Sequence, residues 1–237
     1  MSMKIRCVWG HNGGDNMLYA VVFIGAFTRG ASRDAAMQKM PAEISAYLKW
    51  KGNCTPGPFE PEIVQEKSSS LTVSDADSDV IFEDEKRALD ISEYLEAKAI
   101  VLKSAQDFLA LYQAMPEKDK SCLEARATFY GQVPRTASEM YEHTKNVNDY
   151  YFGELGVSAG NEGDIAACRE RGFELLERRS GFLNNTVYVG SYGEEWSLRK
   201  VLRRFVWHDR IHAKAMYRMA RKTFGPDAVP NVFCFEL

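Results

Sequence analysis

Hydrophobic positions repeat every second residue at the start of the chain and every three or four residues over most of its second half. At the start, Met3, Ile5, Cys7 and Trp9 follow the two-residue period, and the turn-forming segment GHNGGDN comes directly behind them. This pattern predicts a strand followed by a hairpin. The apolar run MLYAVVFIGAF predicts a second, more buried strand.

A helix is predicted after these two strands. Ser32 is suited to cap its N-terminus, apolar positions continue to Trp50, and Gly52 is placed to end it. Pro41 lies inside the pattern and predicts a kink or a restart. The proline-rich NCTPGPFEPE then leads into EIVQEK, a predicted edge strand. The first 85 residues therefore predict a small α+β unit in the order strand, strand, helix, strand.

The segment between Glu66 and Lys86 is poor in apolar residues and rich in Ser and Asp. We interpret it as a linker or long loop, with a domain boundary between residues 85 and 86. Its DADSD sequence lacks the glycine and the terminal glutamate of an EF-hand loop, which favours a solvated linker over a calcium site.

Residues 86–237 predict four amphipathic helices with two longer connections, a pattern typical of a helical bundle. The first helix ends before Pro116 and is marked by Ile91, Leu95, Leu102, Ala105, Leu109 and Tyr112. Thr136 opens the second, which runs to residue 156, and Asp164 caps the third, which runs to residue 181. The fourth covers residues 194–225. The expected fold class of the whole chain is therefore α+β.

Three of the four histidines lie on core-facing positions of two predicted helices. His143 lies three residues after Met140 on the second predicted helix. His208 and His212 lie four residues apart on the fourth. Residues four apart are separated by about 40° of rotation and about 6 Å of rise, so both rings can face one object. The line on the fourth helix consists of Leu198, Val201, Phe205, His208, His212, Ala215 and Met219.

The histidine cluster predicts a metal site, because neutral imidazole binds zinc, nickel, copper and iron. Three protein ligands with open positions are what a catalytic metal requires. The alternative is a set of polar surface residues or hydrogen-bonded core histidines.

Gly25, Phe27, Thr28, Gly30 and Ser32 form a G-x-x-x-x-G-x-S turn between a strand and a helix, which resembles the HicB-like domains. The resemblance covers about a third of the chain and implies their α+β fold for residues 1–85. Relatives of that family include antitoxins that mask an RNase toxin, so an antitoxin-like regulator acting through the N-terminal domain is one alternative function.

TASEMYEHTKNVNDYYFGELG, followed by EEWSLRKVLRRFVWHDRIHAKAMYRM, resembles the DinB/YfiT-like superfamily of metal-binding four-helix bundles. The resemblance covers residues 86–237. It implies a divalent metal, zinc or nickel, held by His143, His208 and His212, and bundles that often pair as homodimers. Members include thiol-dependent S-transferases and proteins described as metal-dependent hydrolases.

Supporting groups are less well defined by the sequence. Glu139 lies one turn before His143 and Asp209 directly follows His208, which makes them weak candidates for catalytic residues. We interpret Asp209 as a surface residue or one that orients a ligand. Arg199, Arg203 and Arg204 form either a solvated helix face or a site for an anionic low-molecular-weight thiol. The nearby aromatic residues are interpreted as core or pocket wall: Tyr150, Tyr151, Tyr188, Tyr192 and Trp207.

Composition narrows the choice of partners. With 30 basic and 33 acidic residues the net charge is -3, which argues against nucleic acid and anionic lipid as partners. No apolar run reaches the length of a membrane span, and the five cysteines contain no CxxC pair, so a cytoplasmic protein with reduced thiols is expected. The Asn53 and Asn184 sequons then carry no meaning.

The sequence therefore predicts a HicB-like α+β domain followed by a DinB-like four-helix bundle. We expect a metal-dependent hydrolase or thiol S-transferase acting on a small molecule. The rival interpretation is a non-enzymatic protein that binds metal structurally or mediates protein contacts.

Overall fold

Five α-helices and one four-stranded sheet form a mixed α+β structure in the part of the chain that the computed structural model describes, residues 2–12, 14–53, 57–69, 80–128 and 131–236. The strands of the sheet are β1 (Met3–His11), β2 (Asn16–Ala20), β3 (Phe27–Gly30) and β4 (Phe59–Ser68). The helices are α1 (Arg33–Trp50), α2 (Ile91–Gln113), α3 (Ala137–Gly153), α4 (Ile165–Glu177) and α5 (Leu198–Phe224). Two short strand pairs join β5 (Ala127–Thr128) to β6 (Gly131–Gln132) and β7 (Tyr188–Val189) to β8 (Glu195–Trp196).

The sheet has the order β3-β2-β1-β4, with β1 antiparallel to β2 and parallel to β4. The predicted hairpin is confirmed by the pairing of His11 with Asn16, and β4 lies at an edge as expected. The prediction of a single strand over MLYAVVFIGAF was wrong. The chain turns after Ala20 and returns as β3, because Gly25 adopts a φ of +83° that a strand does not contain.

Helix α1 covers one face of this sheet, and α1 together with β1–β4 is called the N-terminal unit below. The predicted cap is confirmed, because the Ser32 hydroxyl accepts a hydrogen bond from the Ala35 N–H at 3.2 Å. The helix is continuous through Pro41, so no restart occurs there. Gly52 follows the helix with a φ of +82°, as expected of its stop signal.

The four helices predicted for the second half are all present. Thr136 and Asp164 cap α3 and α4, which confirms these two predicted starts. The start predicted for the last helix at residue 194 was wrong, because Glu195–Trp196 form β8 and Ser197 caps the helix. Helix α5 packs on α2 and α3, and α4 also packs on α2 and α3, so the four helices surround a common core.

The core-facing side of α2 was predicted correctly at Ala105, which is fully buried, but not at the start of the helix. Ile91 and Leu95 are 54% and 53% exposed, whereas Tyr94, Val101 and Phe108 are buried. The buried stripe is displaced by one residue, which corresponds to about 100° around the helix. Helix α2 therefore leaves Ile91 and Leu95 of its first two turns in solvent.

The structure describes only part of the predicted linker between Glu66 and Lys86. Its DADSD sequence lies outside the described residues. The following stretch is not a solvated linker: Val80, Ile81 and Phe82 are buried, and Glu85 is 6% exposed. Glu85 is buried because it pairs with Arg203 on α5, a partner that local sequence does not indicate.

Packing is continuous across the proposed domain boundary at residues 85 and 86. One hydrophobic cluster contains side chains from the N-terminal unit and from all four helices behind it. Trp50 at the end of α1 also donates a hydrogen bond to Asp107 of α2 at 2.6 Å. The division into domains remains a prediction, but the two parts share a core.

Candidate metal centre

His143 on α3 meets His208 and His212 on α5. The Nε2 atoms of His143 and His208 are 3.2 Å apart. The ring centroid of His212 lies 4.6 Å from that of His143 and 4.5 Å from that of His208. One ligand atom from each residue lies within 4.8 Å of the other two. The predicted juxtaposition of the three histidines is therefore confirmed.

The three rings differ in burial, and the cluster is open on the side of α3. His208 is 5% exposed, His212 is half-buried and His143 is exposed. The core-facing line on α5 was predicted correctly, whereas on α3 Met140 is buried as expected but His143 is not. Helix α3 turns Tyr141, Thr144 and Tyr151 into the core and leaves His143 at its rim. The cluster thus runs from the buried His208 through the half-buried His212 to the exposed His143.

Both imidazoles on α5 are neutral at neutral pH. Burial lowers the pKa of His208 well below its usual value, and His212 and His143 lower it further. Burial, together with His143, lowers the pKa of His212 to about 3. Since only the unprotonated ring nitrogen can bind a cation, these two side chains are in their ligand form.

The chemistry of the cluster fits a divalent metal ion. The His143 and His208 Nε2 atoms, 3.2 Å apart, are close enough to share one metal ion, and the same distance fits a direct hydrogen bond between the two rings. Three imidazoles are also an established donor set for zinc and related metals. Among the described residues, this is the one group of three or more His, Cys, Asp or Glu side chains arranged in this way.

Aromatic side chains and one arginine adjoin the cluster on α5. The Tyr151 ring lies 6.0 Å from the His208 ring and the Trp207 ring 6.2 Å from it. Arg204, one turn before His208, donates a hydrogen bond to the Tyr151 hydroxyl at 3.2 Å. Tyr151 and Trp207 are buried, as expected of core residues, whereas Tyr192 is 82% exposed.

The structure gives Glu139 a role at the start of α3. Its carboxylate accepts hydrogen bonds from the backbone N–H groups of Arg135 at 2.7 Å and Thr136 at 3.3 Å. These bonds lower the pKa of Glu139, that from Arg135 most strongly. This is a helix cap, and it gives no support to Glu139 as a proton acceptor.

Asp209 is fully buried, and the interpretation as a surface residue was wrong. Its carboxylate accepts a hydrogen bond from the Arg169 guanidinium of α4 at 2.8 Å. Burial raises its pKa to about 6 in spite of this partner. Asp209 therefore joins α5 to α4.

The interpretation of Arg199, Arg203 and Arg204 as a solvated helix face was also wrong. Arg203 and Arg204 are each 1% exposed, and Arg199 donates to the Ala88 carbonyl at 2.7 Å. Arg203 is bound by both carboxylate oxygens of Glu85, at 2.5 and 3.1 Å. Arg199 and Arg203 are therefore engaged in intramolecular contacts, which removes support for an anionic thiol at this face.

Sequence reasoning missed the ion pairs that hold α5. Arg210 donates to Glu43 of α1 at 2.6 Å, and Lys200 donates to Glu194 at 2.7 Å. The only sequence signal was the large number of basic residues on this helix.

The chain was compared with models of protein families, with curated proteins and with solved structures, and no match was found. The resemblances to HicB-like domains and to the DinB/YfiT-like superfamily therefore remain predictions from the sequence. No helix in the described parts of the chain has the length and apolar character needed to cross a lipid bilayer.

Proposed function

We propose that the protein is a metal-dependent enzyme of the DinB-like type that acts on a small molecule, with zinc or nickel bound by His143, His208 and His212. The observation that carries the proposal is the approach of three imidazoles from two helices to within 4.8 Å, with His143 at the solvent side. A site with three protein ligands and an open side is the arrangement of catalytic rather than structural zinc.

A bound metal would supply Lewis acidity toward a carbonyl, or lower the pKa of water or a thiol to give a nucleophile near neutral pH. The chain's own contribution is positional. His208 is fixed by burial, with the buried rings of Tyr151 and Trp207 beside it. The exposed His143 and the half-buried His212 give a small molecule access to the cluster. Hydrolysis and thiol S-transfer both fit this arrangement.

Metal analysis tests the proposal most directly. Protein purified without added metal should contain about one equivalent of zinc or nickel, and His208→Ala should lose it. His11→Ala is the matched control, because His11 pairs with Glu66 on the sheet and lies outside the cluster. A wild-type protein that neither contains nor binds either metal would refute the metal centre and with it the enzyme.

The reaction class requires a separate assay. A thiol transferase should consume a low-molecular-weight thiol together with an electrophile, and a hydrolase should cleave activated esters or amides. Both activities should disappear with a chelator and return with the metal. A protein that binds metal but turns over neither panel would instead favour the non-enzymatic alternative, a metal-binding or protein-interaction module.

The antitoxin-like alternative depends on the N-terminal unit being free to receive a partner. The face of this unit that meets α5 is covered, since Trp207 packs against Tyr19 and Phe27 at ring distances of 6.5 and 6.1 Å. This packing favours the enzyme over the regulator.

A further inference from the structure

Arg210 lies between the two α5 ligands in sequence and on the opposite side of the helix. At 100° per residue it is rotated by about 160° from both His208 and His212. Its guanidinium is fully buried and donates a hydrogen bond to Glu43 of α1 at 2.6 Å. The helix turn that carries the ligands is thus fixed from behind by the N-terminal unit.

Glu43 is the main partner that offsets the cost of burying the charge of Arg210. The guanidinium carbon lies 5.1 Å from the Tyr47 ring, 5.0 Å from the Trp50 ring and 5.3 Å from the Phe235 ring. Its Nε and Nη1 atoms are buried without a hydrogen-bond partner among the described residues. In such an apolar cage a charge that loses its partner is strongly destabilised, so the guanidinium must remain on Glu43.

Two more contacts hold the same stretch of α5. Arg203 forms an ion pair with Glu85, which follows the N-terminal unit in the sequence. A Cβ atom placed on Gly25 would lie 2.4 Å from Val206, so the N-terminal unit approaches α5 at backbone distance. Between residues 203 and 210, α5 therefore has little freedom to rotate or slide.

We propose that Arg210 is a positioning residue of the metal centre, and that its ion pair with Glu43 makes metal affinity depend on the N-terminal unit. This inference rests on the proposed metal centre. Ligands from α5 must meet His143 on α3 within about 0.5 Å of the productive geometry. Rotation of α5 moves both of its ligands at once, and the Arg210–Glu43 pair opposes that rotation.

The test compares zinc affinity in Glu43→Gln with that in Glu62→Gln. The first change keeps the shape of the side chain and removes its charge. The second removes a charge in the same unit, from an exposed pair in which Lys4 and Glu62 are 3.1 Å apart. Competition with a chromophoric chelator should give a zinc dissociation constant at least tenfold higher for Glu43→Gln and unchanged for Glu62→Gln. A Glu43→Gln variant that folds and binds zinc with wild-type affinity would overturn the proposal. An ion pair with only a structural role would affect the stability of the protein and not its zinc affinity.

A second measurement covers the case in which Glu43→Gln does not fold. Coupling between two sites is reciprocal, so zinc bound to the wild-type protein must stabilise the contact at Glu43. Amide exchange in α1 around Glu43 should slow on adding zinc, while exchange in β4, which does not contact the centre, should stay the same. Equal exchange in α1 with and without zinc would overturn the coupling. A wild-type protein that binds no zinc would remove the proposed function as well, whereas zinc binding without this coupling would remove only the present inference.

Discussion

At the scale of single residues, the burial of His208 and His212 makes the stability of the metal-free protein depend on pH. Both have a lowered pKa in the folded chain, about 3 for His212, against about 6.5 in the unfolded chain. Below pH 6.5 the unfolded chain therefore binds protons that the folded chain does not, and the free energy of unfolding falls as the pH decreases.

We expect the His212→Gln variant to lose part of this pH dependence. Glutamine cannot take up a proton, so between pH 7 and pH 5 its free energy of unfolding should fall by about 1–2 kcal/mol less than that of the wild type. Urea unfolding in the presence of a chelator measures the difference. The raised pKa of Asp209, about 6, acts in the opposite direction but is common to both proteins. Equal pH slopes would contradict the burial described for His212.

The sequence could predict the ligands but not their environment. His208 and His212 are visible because helical spacing of four residues is a local property. The pairing of Arg203 with Glu85 and of Arg210 with Glu43 joins positions 118 and 167 residues apart, and no local pattern relates them. A basic residue on a helix most often lies in solvent, so the interpretation of a solvated face followed the usual rule and was wrong here.

At the scale of the elements, the turn before β3 brings the N-terminal unit close to the backbone of α5. Gly25 and Gly52 have nearly the same positive φ, +83° and +82°. A Cβ on Gly25 would meet Val206 at 2.4 Å, while a Cβ on Gly52 would have no atom within 4 Å. Substitutions at the two glycines therefore distinguish the energetic cost of the backbone conformation from the cost of a steric clash.

Gly52→Ala should cost about 1 kcal/mol of unfolding free energy from its backbone conformation alone. Gly25→Ala should cost about 3 kcal/mol or more, because the new methyl group also displaces α5. Chemical denaturation of both variants gives the comparison. A similar loss in the two would show that α5 can move away from the turn easily.

The N-termini of three helices could be predicted from the sequence. Ser32, Thr136 and Asp164 accept hydrogen bonds from the first turns of their helices, as their residue types predict. Strand β3 was missed because the apolar residues between β2 and β3 serve a turn, and Val22 there is 71% exposed. Hydrophobicity alone does not distinguish such a turn from a buried strand.

At the scale of the whole molecule, the shared core predicts one cooperative unfolding transition. Urea unfolding followed by far-UV circular dichroism and by tryptophan fluorescence should give coincident curves. A stable intermediate with a folded bundle would require Arg203 and Arg210 to remain buried without Glu85 and Glu43, which is energetically costly. Two separated transitions would instead support independent domains that meet at residues 85 and 86.

The central place of α5 also affects how fast the native state is reached. Its ion pairs with Glu85 and Glu43 close loops of 118 and 167 residues, and contacts between such distant positions form slowly because chain entropy is lost before they add stability. Helices α2–α4 can form from local signals, whereas α5 reaches its place only when both ends of the chain have come together. We therefore expect the three histidines to meet in the last step of folding, so that the ability to bind metal appears together with the native state and not before it.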